Sequence, residues 1–140
     1  MSIAIIRLLF DFGLLILIWM TQLVVYPSFT FFQKKNLLAW HSKYTQRITV
    51  VVLPLMLGQL LISVFQLWEI VSWYTIISFV VILVLWAFTF LHFIPLHNKI
   101  AKDQFDDALL KRLVDRNWIR TFFWTVLFII SSIELLKEFR

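Results

Sequence analysis

The chain has 140 residues, of which 61% are hydrophobic and only two are glycine, and its mean hydropathy is +0.88. A water-soluble domain of this length could not hide so much apolar surface, so composition points to an integral membrane protein. The absence of cysteine excludes disulfides, thiolate metal sites and cysteine nucleophiles, and the net charge of +5 forms no basic stripe interleaved with exposed aromatics, so nucleic acid is not an expected partner.

Four hydrophobic runs follow in chain order: Leu8–Tyr26, Ile48–Trp68, Val71–Ile94 and Trp118–Leu136. At about 1.5 Å per residue, roughly 20 helical residues cross a hydrocarbon core of about 30 Å. The expected fold is therefore all-α, an up-down-up-down four-helix bundle in the membrane, with residues 1–140 forming one transmembrane domain. After Trp19 come Met20-Thr21-Gln22-Leu23, which is no small-residue cleavage site, so the first run reads as a retained helix. Ser2 stands where myristoylation needs glycine, and no cysteine is available for acylation. Pro27 is expected to end the first helix, Asn36 to cap the second, and Pro54 to bend it. The turn at Trp68-Glu69-Ile70-Val71 makes an antiparallel hairpin of the second and third helices, with Trp68, Trp73 and Tyr74 at the membrane boundary. Pro95 is expected to break helical register before His97. Asp103 then caps a short amphipathic helix, with Phe105, Leu109, Leu110, Leu113 and Val114 on one face and Lys102, Lys111 and Arg112 on or near the other. That helix either lies on a leaflet or packs on the bundle.

Charge gives the orientation. The side holding both termini carries Arg7, Lys137 and Arg140. The side holding segments 27–47 and 95–117 carries Lys34, Lys35, Lys43, Arg47, Lys99, Lys102, Lys111, Arg112, Arg116 and Arg120. The positive-inside rule puts those two segments in the cytoplasm and both termini outside, as in a multi-pass protein of the bacterial inner membrane.

At 100° per residue each helix shows one polar or small stripe. It comprises Asp11, Leu15, Trp19, Gln22 and Tyr26 on the first helix, and His41, Tyr44, Thr45, Ile48, Val52, Gln59, Ser63 and Gln66 on the second. On the third it comprises Ser78, Ile82, Leu85, Thr89 and His92, and on the fourth Asn117, Thr121, Trp124, Phe128, Ser131 and Ser132, with Arg120 at the edge. Lipid offers no hydrogen bonds, so these stripes should face one another. The topology gathers Gln22, Tyr26, His41, Tyr44, Arg47, His92, His97, Asn98, Asn117 and Arg120 at the cytoplasmic leaflet. Trp19, Trp86 and Trp124 lie deeper, giving a polar mouth over an aromatic floor.

Four chemistries fit some of these residues. A pocket for a lipophilic aromatic molecule matches the usual composition of bundle sites, while the plain alternative is that the same groups knit helices and anchor their ends. Bis-histidine haem through His41 and His92 is a second option, set against the position of His41 about 10 Å before Ile48 along its helix. A metal site at His92 and His97 lacks any HxxxH or HExxH spacing. Arg7 and Asp11, at i and i+4, read as an interfacial ion pair rather than as part of a proton path. Two glycines cannot make a phosphate-cradling loop.

The strings Val25-Tyr26-Pro27, His41-x-x-Tyr44, Pro54-Leu55-Met56, Pro95-x-His97 and Asn117-Trp118-Ile119-Arg120-Thr121 resemble a group of small four-helix bacterial membrane proteins without assigned activity. The second half is also similar, more distantly, to the anthrone-oxygenase-like membrane family, through Pro95-Leu96 followed by an asparagine and through Asn-x-x-Arg-Thr opening the last helix. That family has the asparagine directly after Pro-Leu, whereas here His97 precedes Asn98; Asn117, Arg120 and Thr121 match better. The resemblance implies cofactor-independent oxygenation of a polycyclic, phenol-like substrate.

The function expected from the sequence is thus binding of a lipophilic aromatic molecule at the cytoplasmic leaflet. Its ligand set is Trp19, Gln22, Tyr26, Tyr44, Arg47, Asn98, Asn117, Arg120, Thr121 and Trp124, with His41 or His92 as proton acceptor. No cofactor is required, haem being the alternative. The other classes are a non-catalytic subunit or assembly factor docking a membrane partner, a homo-oligomer, and a transporter; the last lacks an inverted repeat or a mid-span acid.

Overall fold

In the computed structural model, which describes residues 2–137, the chain is an all-α bundle of four helices: α1 Ile3–Phe31, α2 Lys34–Glu69, α3 Trp73–Ala101 and α4 Asp107–Lys137. All four are long and apolar enough to cross a membrane. Helix α1 packs against α4 and α2, α2 against α3, and α3 against α4, so sequence neighbours close an antiparallel ring. Residues 70–72, the start of α1 and the end of α4 share what we call the terminal end; residues 32–33 and 102–106 make the loop end. Arg140, counted above among the terminal cations, lies outside the described residues.

The helix boundaries follow local chemistry. The Ser2 hydroxyl accepts from the Ala4 N–H at 3.2 Å and starts α1. Ser72 and Thr75 form a reciprocal capping box at α3. Asp106 Oδ1 accepts from Leu109 N–H at 2.8 Å to open α4. Three expectations are corrected here. Helix α2 starts at Lys34 behind Gln33, so Asn36 lies inside it rather than capping it. Asp103 adopts a left-handed conformation (φ 57°) in the α3–α4 turn, which aspartate tolerates, and caps nothing. No separate amphipathic helix exists there: Leu109, Leu110 and Leu113 are buried in the first turns of α4.

Neither Pro27 nor Pro95 ends its helix. Each is preceded by a five-residue π turn, Thr21–Val25 in α1 and Thr89–Phe93 in α3. In both, the N–H of the residue before proline reaches the carbonyl of the threonine five residues back, Tyr26 to Thr21 and Ile94 to Thr89. The wider turn accommodates the ring and the missing donor that would otherwise break an α ladder. Residues assigned to connecting segments therefore become helix, and the true connections at the loop end are short. Lys34 and Asp103, 3.0 Å apart, pair across them.

Two apolar clusters fill the interior. One, toward the loop end, holds Tyr26, Phe29, Leu37, Tyr44, Phe93, Leu96, Ile100, Leu109, Leu110 and Leu113. The other, nearer the middle, holds Leu14, Ile18, Met56, Ile82, Leu85, Trp124 and Leu127. Close approach of α1 and α2 is fixed at Gly58, where a Cβ would overlap the Phe10 ring.

Candidate functional site

Between the two apolar clusters lies a cavity of about 460 Å³, and residues of both clusters line it. Its inner wall is Leu14, Ile18, Met56, Phe93 and Trp124, all buried. Thr49 and Leu53 of α2 and Phe90, Ile94, Asn98 and Ala101 of α3 also line it and are exposed, so the cavity opens sideways between α2 and α3. The volume suits a small organic molecule, and a largely apolar wall with a few converging polar groups is the usual composition of such sites.

The polar groups form a chain at the loop end. The Tyr26 hydroxyl lies 3.0 Å from His97 Nε2, and His97 Nδ1 lies 2.8 Å from His41 Nε2. The two imidazoles also stack, with centroids 5.1 Å apart. Phe29 meets both His41 and Tyr44 edge-on and holds this corner rigid. One hydrogen must sit between the histidines. If His41 Nε2 donates it, His97 Nε2–H donates in turn to Tyr26, and His41 Nδ1 is a free acceptor. That Nδ1 is buried and has no partner among the described residues.

Arg120 is the one fixed charge of the lining, and no lining residue is acidic. It is 7% exposed, not at the edge of its stripe as the sequence suggests. Its guanidinium stands over Phe93 at 4.3 Å and Trp124 at 5.0 Å, and Nη1 donates to Asn117 Oδ1 at 3.4 Å. The Tyr26 side chain also hydrogen-bonds it, and Tyr44 and His97 are within its electrostatic reach. Arg120 Nε finds no acceptor among the described residues. The same holds for Trp86 Nε1 and Thr89 Oγ1, two further lining residues. Four buried polar atoms without partners thus belong to residues around one cavity, where buried polar groups are ordinarily satisfied.

Two other polar systems flank the cavity. Gln22 Oε1 accepts from Asn117 Nδ2 at 2.9 Å and Thr121 Oγ1 at 3.3 Å, while Gln22 Nε2 donates to the Val114 carbonyl at 3.2 Å. This knot ties α1 to α4 and leaves its members off the cavity wall. Toward the terminal end, Arg7 Nε lies 2.9 Å from both Asp11 oxygens, and Nη1 donates to Gln66 at 3.2 Å. Gln59 donates to Asp11 at 2.6 Å and accepts from Trp124 Nε1 at 3.3 Å. Arg7 and Asp11 are both 0% exposed, so the ion pair is interior rather than interfacial.

Of the residues singled out in the sequence, Tyr26, His41, Tyr44, Asn98, Arg120 and Trp124 line the cavity, whereas Gln22, Asn117 and Thr121 stand behind it. Trp19, Arg47 and His92 do not reach it. Trp19 lies on the outside, donating to Thr125 Oγ1 at 3.1 Å and packing edge-on against Trp118. Arg47 is exposed. His92 hydrogen-bonds Arg116 and stacks on Phe88. The π turn inserts one residue into α3, so Phe93 takes the inward position that an unbroken helix would give His92. His41 and His92 therefore do not line the same cavity. Among the described residues no three His, Asp or Glu side chains cluster to hold a metal ion. His97, absent from the expected site set, is the centre of the polar chain. No protein-family model, curated protein or solved structure matches this chain.

Proposed function

We propose that this is a multi-pass membrane protein that takes a lipophilic aromatic molecule from the bilayer into the cavity between α2 and α3. The observation that carries the reading is the side-opening cavity whose lining residues hold four buried polar atoms without partners. Such atoms are costly unless a ligand completes them. The outer surface supports a lipid setting: Leu9, Phe12, Ile16, Leu23, Val50, Leu61, Ile77 and Val80 are exposed on the helix faces. Trp68 and Trp73 stand out at the terminal end, and Phe31 and Trp40 at the loop end, as interfacial aromatics do. The cations concentrated at the loop end support, by the positive-inside rule, a cytoplasmic position for that end in a bacterial inner membrane.

Purification in mild detergent followed by mass spectrometry of an organic extract tests the ligand. A stoichiometric aromatic compound should co-purify with the native chain and be lost from a His41→Ala/Tyr44→Ala/Arg120→Ala variant that still elutes as a folded bundle. An extract unchanged in that variant overturns the proposal. Orientation is read by thiol labelling, since the chain has no cysteine of its own. An impermeant reagent on intact spheroplasts should label Ser2→Cys and spare Lys102→Cys until the cells are lysed.

A further inference from the structure

The two buried arginines of the bundle differ in their counter-ions. Arg7 has Asp11. Arg120 is held by two aromatic faces, the Asn117 amide oxygen and the Tyr26 hydroxyl, and no carboxylate pairs with it among the described residues. No acidic residue lines the cavity, and its tyrosines and histidines are not anions in their ordinary state. The unpartnered atoms add a second constraint. Arg120 Nε and Trp86 Nε1 carry hydrogens and can only donate. His41 Nδ1 joins them when the polar chain runs away from the arginine. The guanidinium only donates, so the Tyr26 oxygen accepts from it and the Tyr26 hydrogen is turned toward His97 Nε2. His97 Nδ1–H then donates to His41 Nε2, and His41 Nδ1 keeps its hydrogen. The cavity is thus short of acceptors and short of one negative charge.

We infer that the cavity binds an aromatic carboxylate, a ligand already ionised when it enters, with a carboxylate oxygen accepting from Arg120 Nε–H. The inference rests on the pocket reading above and adds the charged group. A carboxylic acid is ionised at neutral pH, since its ordinary pKa is about 4. No group of the wall takes up a proton, and the net charge of the cavity falls from that of one guanidinium to zero. A neutral acid that left its proton on the wall would not lower it. A carboxylate is also acceptor-only, and its second oxygen can serve one more unpartnered donor, Trp86 Nε1–H or His41 Nδ1–H. Burying a carboxylate is unfavourable in general, but here the guanidinium is already desolvated and positioned before the ligand arrives. An aromatic body is favoured over an alkyl chain because Trp86, Phe93 and Trp124 line the space, two of them against the guanidinium. A phospholipid headgroup would bring the anion but leave that aromatic wall uncovered.

The test uses the purified full-length protein in an uncharged detergent at neutral pH, titrated in a calorimeter with 2-naphthoate and with its neutral isostere 2-naphthamide. The carboxylate should bind about ten- to a hundred-fold more tightly than the amide, the span expected of one hydrogen bond to a charged group. Arg120→Gln should abolish that preference and leave amide binding little changed, and Arg120→Lys should retain part of it. Equal binding of carboxylate and amide by the native chain overturns the inference and leaves the pocket standing. So does a preference that survives Arg120→Gln in a variant that still unfolds cooperatively. Tighter binding of 2-naphthol than of 2-naphthoate overturns the carboxylate. Tighter binding of decanoate, dependent on Arg120, overturns the aromatic body. Tighter Arg120-dependent binding of phosphatidylglycerol than of 2-naphthoate assigns the guanidinium to a lipid headgroup and overturns the inference as well. Failure of every compound to bind overturns the pocket itself.

Discussion

At the terminal end Arg7 is held by a carboxylate and an amide; at the loop end Arg120 is held by two aromatic rings, an amide oxygen and the Tyr26 hydroxyl. Both arginines are buried. The Arg7 network is charge-balanced, with Asp11, Gln59, Gln66 and Trp124 joined across α1, α2 and α4, although Arg7 Nη2 is buried without a partner among the described residues. The Arg120 corner is open, beside a cavity and a histidine with an unpartnered ring nitrogen. The difference teaches that burial alone does not identify a functional charge. What separates a fastening from a site is whether the protein supplies the counter-ion.

The largest expected effect breaks the closed end. Asp11→Leu strands Arg7 as a buried cation and should cost about 3–5 kcal/mol of stability, whereas Arg7→Met/Asp11→Leu removes both charges and should recover most of it. Thermal unfolding in detergent of the two single variants and the double variant checks this; an uncorrected double variant breaks the comparison. A middle-sized effect is expected at the knot. Gln22→Leu leaves the Asn117 amide without its acceptor and should cost about 1–3 kcal/mol, with ligand affinity little changed because Gln22 stands behind the wall. The smallest stability effect is expected at Arg120. Arg120→Met should leave the melting temperature unchanged or raise it, because a charge without a protein partner is replaced by a side chain that suits an apolar wall. A loss as large as that of Asp11→Leu would show that Arg120 is also a fastening.

The same comparison shows how much the sequence could reveal. On α2 most of the polar stripe faces inward, with Thr45, Ile48 and Val52 half-buried. His41, Tyr44, Gln59, Ser63 and Gln66 are all buried, because an α helix without a change of pitch keeps its faces in register over 36 residues. On α1, stepping by fours from Asp11 to Leu15 to Trp19 rotates about 80° off the starting face, and Trp19 ends outside. The buried line runs instead through Leu14, Ile18 and Thr21. On α3 the arithmetic fails at the π turn, which exchanges His92 for Phe93 and keeps His97 in a helix that Pro95 was expected to interrupt. A signal for this exists in the chain. Thr21-x-Leu23-x-x-x-Pro27 and Thr89-x-Leu91-x-x-x-Pro95 repeat the same pattern, and each spans a π turn closed by proline. The missing counter-ion of Arg120 could not be read at all, since it depends on which side chains meet in space.

Each π turn can also be regarded as an insertion that the fold has retained. Deleting Leu91 would return α3 to a plain α ladder and turn everything beyond it by about 100°. Phe93 would swing away from Arg120, His97 would part from His41, and the ring of Pro95 would meet a carbonyl with no room to yield. The frame of this helix is therefore counted in single residues: substitutions along its outer face are cheap, whereas one lost codon would dismantle the cavity while leaving the composition almost untouched.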